Sequence, residues 1–260
     1  RGGIRRVGEF LKFRALLYEL VIRDVKIKYR RSILGVLWTV LNPLLMMIVL
    51  YLVFSRLFRF DIDNYSIYLL SGQVIFNYYQ SSTTDAMLSI VGNASLIKKV
   101  YVPKHMLVVA KILSGAVNLL ASFVALLAVV LVTGGRIRIT IFLAFIPFVY
   151  IILFSLGTGF ALAAVTVKFR DIIHLYGVFC TVLFYLTPTI YPISILPFYM
   201  RLAVYFNPLT GIIDIFREIV MEGSAPGLVR VLYCGLMSLF VFFEGLTIFK
   251  KRQSSFILDI

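Results

Sequence analysis

Long uncharged runs alternate with short cationic ones along most of the chain, and the sharpest boundary lies between Arg23 and Pro43, RDVKIKYRRSILGVLWTVLNP. Arg23, Lys26, Lys28, Arg30 and Arg31, with Arg14 further upstream, precede a stretch without charge from Ser32 to Ser55. At roughly 1.5 Å per residue the part that starts at Leu34 reaches about 33 Å, which matches a hydrocarbon core of about 30 Å. The cations mark the cytoplasmic side, because Lys and Arg beside a span are retained there. Upstream, Phe13, Leu16, Leu17, Leu20 and Val21 recur at helical spacing, opposite Lys12, Glu19, Arg23, Lys26 and Arg30. The pattern predicts an amphipathic interfacial helix within a cytoplasmic segment 1–33, supported by Glu19–Arg23 and Asp24–Lys28 pairs. A solvated topogenic charge block is the plainer account of the same residues.

The pattern continued over 34–260 predicts an all-α membrane domain with six spans, at about 34–55, 66–89, 106–132, 140–167, 175–191 and 228–249, and with both termini cytoplasmic. The second span is unusually polar: Gln73, Asn77, Gln80, Ser81, Ser82, Thr83, Thr84 and Asp85 are costly against lipid, so their side must face protein or water. Between spans two and three, 94–103 reads as a short cytoplasmic helix stopped by Pro103. Gly134 and Gly135 make an outer turn, and Gly157 and Gly159 permit close helix packing in span four. The segment 193–227 is apolar but broken by Pro197, Asn207, Pro208, Gly211 and Pro226, which predicts two re-entrant half-helices rather than a span. The outer segments hold only Arg56, Arg59, Arg136, Arg138, Arg201 and Arg217; the other loops and ends are richer in Lys and Arg, as the topology requires.

Composition agrees with this reading. Of the 260 residues, 61% are hydrophobic and 15% charged, a balance of a chain embedded in a bilayer. The net charge of +14 falls at span ends, where headgroups and topology account for it, so nucleic acid is not an expected partner. A cleaved signal peptide is not expected ahead of so cationic a first flank. Cys180 and Cys234 lie in apolar runs near opposite sides of the bilayer, which excludes a disulfide or metal pair between them. No phosphate loop, H-E-x-x-H or Gly-rich dinucleotide turn is present, so the chain is expected to be neither an ATPase nor another enzyme. His105 and His174 sit at cytoplasmic span ends, where an ordinary interfacial role suffices.

Three charges fall inside spans at one depth: Asp85, Lys111 and Glu244. They form either a buried cluster joining spans two, three and six or separate groups, with Lys111 snorkelling to the headgroups. Among the aromatics, Met47, Tyr51, Phe54 and Phe58 make a stripe on span one, Phe76 and Tyr79 lie on span two, and Tyr176, Phe179 and Leu183 recur on span five. Such rings are either packing stripes or faces for sugar rings, which present apolar C–H surfaces and polar edges.

Arg23 to Pro43, with its R-D-x-K-x-K-Y-x-x-S-x-L-G-x-x-W and N-P, resembles the start of permease subunits of polysaccharide-exporting ABC transporters of the O-antigen and teichoic acid type. L-I-K-K-V-Y-x-P (Leu96 to Pro103) resembles that family's coupling helix, F-R-D (Phe169 to Asp171) its second cytoplasmic loop, and P-x-x-Y-P with N-P (Pro188 to Pro192, Asn207, Pro208) its outer re-entrant region. The resemblance implies a homodimer in a bacterial cytoplasmic membrane, with two ATP-binding cassette subunits that bind ATP and Mg, exporting a polyprenyl-diphosphate-linked glycan. It implies that Ser95, Leu96, Ile97, Lys98, Lys99, Val100, Tyr101 and Pro103 couple to the ATPase, with Leu96 and Ile97 as apolar knobs. Arg23, Lys26, Lys28, Arg30 and Arg31 would gate the lipid diphosphate, and Tyr51, Phe54, Phe58, Phe76, Tyr79, Tyr176 and Phe179 would line the channel. Export of a small drug or lipid, an integral-membrane transferase acting on lipid-linked sugar, and an ungated channel are the competing readings.

Overall fold

The computed structural model describes residues 13–30, 32–57 and 62–256; among these it is built of helices and turns, with no strand. Helix α1 (Arg14–Tyr29) leads through a tight turn at Gly35–Leu37 into α2 (Trp38–Leu57). Gly35 has φ 49°, a left-handed conformation that glycine adopts without a Cβ penalty, and there the basic helix turns into the apolar one. That turn is why α2 starts at Trp38, later than the uncharged run does. The apolar side of α1 packs on the protein, with Leu20 buried and Leu16, Leu17 and Val21 against the core, and its main neighbour is α5 (Lys104–Val132).

Helix α3 (Tyr65–Met87) is the hub. It packs on α2, α5, α6 (Phe145–Thr166), α7 (Ile172–Leu186) and α9 (Pro208–Arg217). Leu69, Leu70, Ile75 and Phe76 of α3 are fully buried together with Ile112 of α5 and Phe216 of α9. The remaining elements are α4 (Ala94–Lys99), α8 (Phe198–Tyr205) and α10 (Leu228–Arg252), with a π turn at Glu218–Glu222. Among the described residues, three helices are long and apolar enough to cross a membrane: Lys104–Val132, Ile139–Thr166 and Leu228–Arg252. Trp38–Phe54 and Ile172–Leu186 are apolar but shorter, and the amides and hydroxyls of α3 lower its hydropathy.

Two boundaries differ from the sequence reading. Helix α4 stops at Lys99, short of Pro103, and Val100 is extended at φ −137° and ψ 141°. The proline disfavours helical backbone at Val102, and the β-branched Val100 and Val102 suit an extended chain. Helix α7 ends at Leu186, so the residues from Thr187 to Tyr191 leave the helical register before the prolines do. In 193–227, α8 and α9 are two short helices that meet at Asn207. Its side chain accepts a hydrogen bond from Leu209 N at 3.1 Å, with Pro208 in the first turn, where a missing N–H is harmless.

The longest packing seam joins α6 to α10, and it is backbone on backbone. A Cβ at Gly157 would strike the Val241 carbonyl, and one at Gly245 would strike the Gly157 carbonyl. Gly159 faces another way, towards Ala86 of α3, where a Cβ would come to 2.9 Å. Glycine therefore sets two helix separations from one turn of α6. Gly157→Ala should destabilise the detergent-solubilised protein by about 1–3 kcal/mol, the usual cost of overpacking. Gly177→Ala, on the exposed side of α7 with nothing within 4 Å, should not lower the melting temperature and should raise it slightly by helix propensity. Equal shifts for the two would refute the backbone seam.

Candidate functional site

Along α3 the polar residues Gln73, Asn77, Gln80, Ser81, Thr84 and Asp85 are spaced by three and four, so they share one face of the helix. That face forms the wall of a cavity of about 1390 Å³. Ser114, Asn118 and Ser122 of α5 and Thr39 and Asn42 of α2 line it as well, with Met46, Leu50 and Phe54 of α2 as an apolar side. Gln73 is 2% exposed, and neither atom of its amide has a hydrogen-bond partner among the described residues. A buried amide without partners is costly, so this position calls for a water or a ligand hydroxyl in the cavity.

One mouth of the cavity is charged. Arg23, Asp24 and Lys28 of α1, Asp85 of α3 and Lys111 of α5 all line it. Lys111 Nζ lies 3.0 Å from Asp24 Oδ2, and Arg23 Nη2 donates to Asp24 Oδ1 at 3.1 Å. Arg23 Nη2 also reaches Asn93 Oδ1 at 3.4 Å, and Asn93 Nδ2 donates to Ser89 O at 2.8 Å. Asp24 thus ties α1 to α5, and Arg23 ties α1 to the turn just before α4. The anticipated Asp24–Lys28 pair gives way to this arrangement, because Lys111 meets the carboxylate from a packed neighbour whereas Lys28 stays exposed.

Phe184, Tyr185 and Ile190 line the cavity near the end of α7. The segment after α7 hangs from α3 and α9. Tyr65 Oη donates to Ile190 O at 2.7 Å and Tyr68 Oη to Tyr191 O at 2.8 Å. Arg217, 7% exposed, donates to Pro188 O at 2.7 Å, Thr189 O at 3.1 Å and Tyr68 O at 3.2 Å, with its guanidinium 3.5 Å from the Tyr68 ring. Sequence reading counted Arg217 among the outer-loop cations. The available signal was its place in the apolar run of Ile212, Ile213, Ile215 and Phe216, all of which the structure buries.

The sequence-predicted residues divide sharply. Asp85 and Lys111 come to the same mouth. Glu244 does not: it is exposed on α10, which packs chiefly on α6. Of the aromatics, Phe54 lines the cavity. Phe76 and Tyr79 are corrected to core residues, Phe76 edge-on to Phe184 at 5.0 Å and Tyr79 tilted against Phe154 at 5.5 Å. They sit on a different side of α3 from the amide stripe, so the same helix buries one set and wets the other. Tyr51 is half-exposed beside Tyr65, at 6.3 Å between centroids, and away from the cavity wall. Tyr176 is buried, with its hydroxyl 2.6 Å from Thr83 Oγ1, and Phe179 is exposed and stacked on it at 6.0 Å. Phe58 and Arg31 lie outside the described residues. Lys26 and Arg30 are exposed on α1, while Arg23 and Lys28 reach the mouth. Around α4, Leu96 and Ile97 pack against the core, and Ser95, Lys98, Lys99, Val100 and Tyr101 are exposed, Tyr101 by 86%. Pro103 is half-buried at the start of α5. The protruding apolar side chains are therefore Val100 and Tyr101, not the pair singled out by sequence, because the helical face of α4 is used to dock it on its own chain.

Apolar helices around an open cavity lined by amides, hydroxyls and cations are the architecture of a helical membrane protein, and comparison with known proteins places it in a transporter class. The chain belongs to the ABC-2 type transporter family, whose profile matches residues 15–221. It is 28% identical over 244 residues to the O-antigen export system permease protein RfbA of Klebsiella pneumoniae, covering 93% of each chain. Its identity to RfbA of Myxococcus xanthus is also 28%, over 255 residues, 97% of this chain and 98% of the other. The polysialic acid transport protein KpsM of Escherichia coli is 23% identical over 239 residues, 91% of this chain and 93% of its own.

If Asp24 and Lys111 act as one unit, a double-mutant cycle of Asp24→Asn and Lys111→Met, read by detergent melting, should give a coupling of about 0.5–3 kcal/mol. Additive single effects would mean that the two side chains are independent.

Proposed function

We propose that this chain is the permease of an ATP-driven exporter that moves a lipid-linked polysaccharide, of the O-antigen class, across a bacterial cytoplasmic membrane. The observation that carries the reading is the cavity that runs along α3 from the Arg23, Lys28 and Lys111 mouth to Phe184 and Tyr185. Amides and hydroxyls such as Gln73, Asn77 and Ser114 exchange hydrogen bonds with sugar hydroxyls, and no single one holds a repeating unit firmly. A conduit needs that balance, since every site must release what it accepts. The cations at the mouth match a lipid diphosphate by charge and by donor geometry. The names of the relatives, O-antigen export and polysialic acid transport, support the polysaccharide class.

In this reading the chain crosses the membrane six times with both ends cytoplasmic. Helix α3 crosses because its polar face is turned away from lipid. The exposed apolar faces of α2 and α7, for example Leu45, Val49, Val178 and Val182, flank the cavity and meet a second copy, so that a homodimer encloses the path. Val100, Tyr101 and the lysines of α4 meet an ATP-binding cassette subunit, which holds ATP and Mg. The contacts of Arg23 with Asn93, and of Asp24 with Lys111, then carry movement of that segment to α1 at the mouth.

Gln73→Leu combined with Asn77→Leu should lower surface polysaccharide roughly tenfold, from about 0.5–1.5 kcal/mol per lost hydrogen bond, with permease abundance unchanged. Wild-type export by that variant would sink the conduit. In a separate pull-down, Tyr101→Ala should reduce recovery of the ATPase, while Leu96→Ala should lower thermal stability instead. Undiminished ATPase recovery with Tyr101→Ala would overturn the docking assignment.

A further inference from the structure

A second cavity, of about 370 Å³, lies at the membrane boundary opposite Lys104, between the loop that joins α5 to α6 and the π turn after α9. Leu127, Val130, Ile141 and Met221 make its apolar lining, and Arg136 and Arg138 bring two cations to it. Arg138 is built in. Its Nη1 donates to Glu222 O, and Gly223, at φ 63°, lies so close to the guanidinium that a Cβ there would strike it. Neither arginine has a carboxylate partner among the described residues; the nearby Glu222 carboxylate accepts from Ser224 Oγ at 3.4 Å instead. Two guanidiniums without a salt-bridged carboxylate among the described residues, beside apolar side chains, suit a ligand that is anionic at one end and apolar at the other.

The surroundings identify that ligand. Leu131, Ile139 and Phe142 follow the lining residues Val130, Arg138 and Ile141 in the chain and are exposed, and they belong to the ends of the two apolar segments Lys104–Val132 and Ile139–Thr166. A molecule that reached the arginines along these side chains would arrive from the bilayer. We propose that the cavity binds the phosphate of an anionic phospholipid, with its acyl chains laid along Leu131, Ile139 and Phe142. Arg136 and Arg138 donate to the phosphate oxygens. The lipid thereby neutralises a loop whose cations the topology rule disfavours on the outer side. Placing it in the outer leaflet rests on the six-span reading; the site itself requires only that the two apolar segments cross the membrane.

Native mass spectrometry of the purified full chain, exchanged between phosphatidylglycerol and phosphatidylcholine, tests the site. Wild type should retain phosphatidylglycerol preferentially, and Arg136→Gln should weaken that retention about fivefold, the share of one cation. Arg136→Lys should keep most of it, and Lys251→Gln, at the other membrane face, should change nothing. Arg138→Gln also severs the tie to Glu222, so the test rests on the Arg136 variants. Equal retention of both lipids by wild type, or undiminished retention by Arg136→Gln, would overturn the proposal. So would thermal stabilisation by inorganic phosphate equal to that by phosphatidylglycerol, which would mean a site for a free anion and not for a lipid. The readout does not involve export, so this result and the export reading can fail separately.

Discussion

Everything in this chain follows from one constraint: the polar side of α3 cannot face hydrocarbon. Gln73, Asn77, Gln80, Thr84 and Asp85 would each cost several kcal/mol against lipid, of the order expected for unsatisfied polar groups. The helix is therefore placed at the centre, with α2, α5, α6, α7 and α9 around it. Its apolar faces are consumed by that packing, and its polar face is left to a cavity. The cavity is thus a result of the helix pattern as much as a feature carved into the bundle.

The surrounding helices are not equally firm. Helices α6 and α10 meet at Gly157 and Gly245, where backbone touches backbone, and α5 and α6 share buried faces with α3. Helices α2 and α7, on the open side of the cavity, expose most of their apolar residues, and α7 buries only Tyr176 and Cys180. That side is held by the Thr83–Tyr176 hydrogen bond, by the packing of Phe184 on Phe76 and of Met47 and Leu50 on the core, and by the polar suspension of residues 188–191 from Tyr65, Tyr68 and Arg217. A closely packed half faces a more exposed half across the cavity. Few buried apolar contacts mark the open side as the less stable part of the bundle.

The charged groups are arranged to join elements. Asp24 takes its partners from α1 and α5, and Arg23 adds the turn before α4. Arg217 collects carbonyls from two segments, a task for which the planar five-donor guanidinium is suited and an ammonium is not. These side chains stand where separate stretches of chain converge, and they lock tertiary contacts that apolar surfaces alone leave free to slide.

Local pattern was sufficient for much of this. Charge-free length marked the apolar helices, helical spacing marked the inner face of α1, and the polar run of α3 required a side turned away from lipid. The proline and asparagine at 207–208 announced the break between two short helices. These features depend on residues within a turn or two of each other, where helix geometry is known in advance. Tertiary structure decided the rest. Asp24 pairs with Lys111 and not with Lys28, because a neighbouring helix delivers the ammonium to a nearly buried carboxylate. Leu96 and Ile97 turn inward, and Val100 and Tyr101 outward, because α4 must dock on its own chain. Phe76 and Tyr79 fill the core because α6 and α7 cover that side of α3. Arg217 is buried because carbonyls freed where α7 ends converge on it. In each case the outcome depended on groups distant in sequence, whose arrival only the packed fold determines.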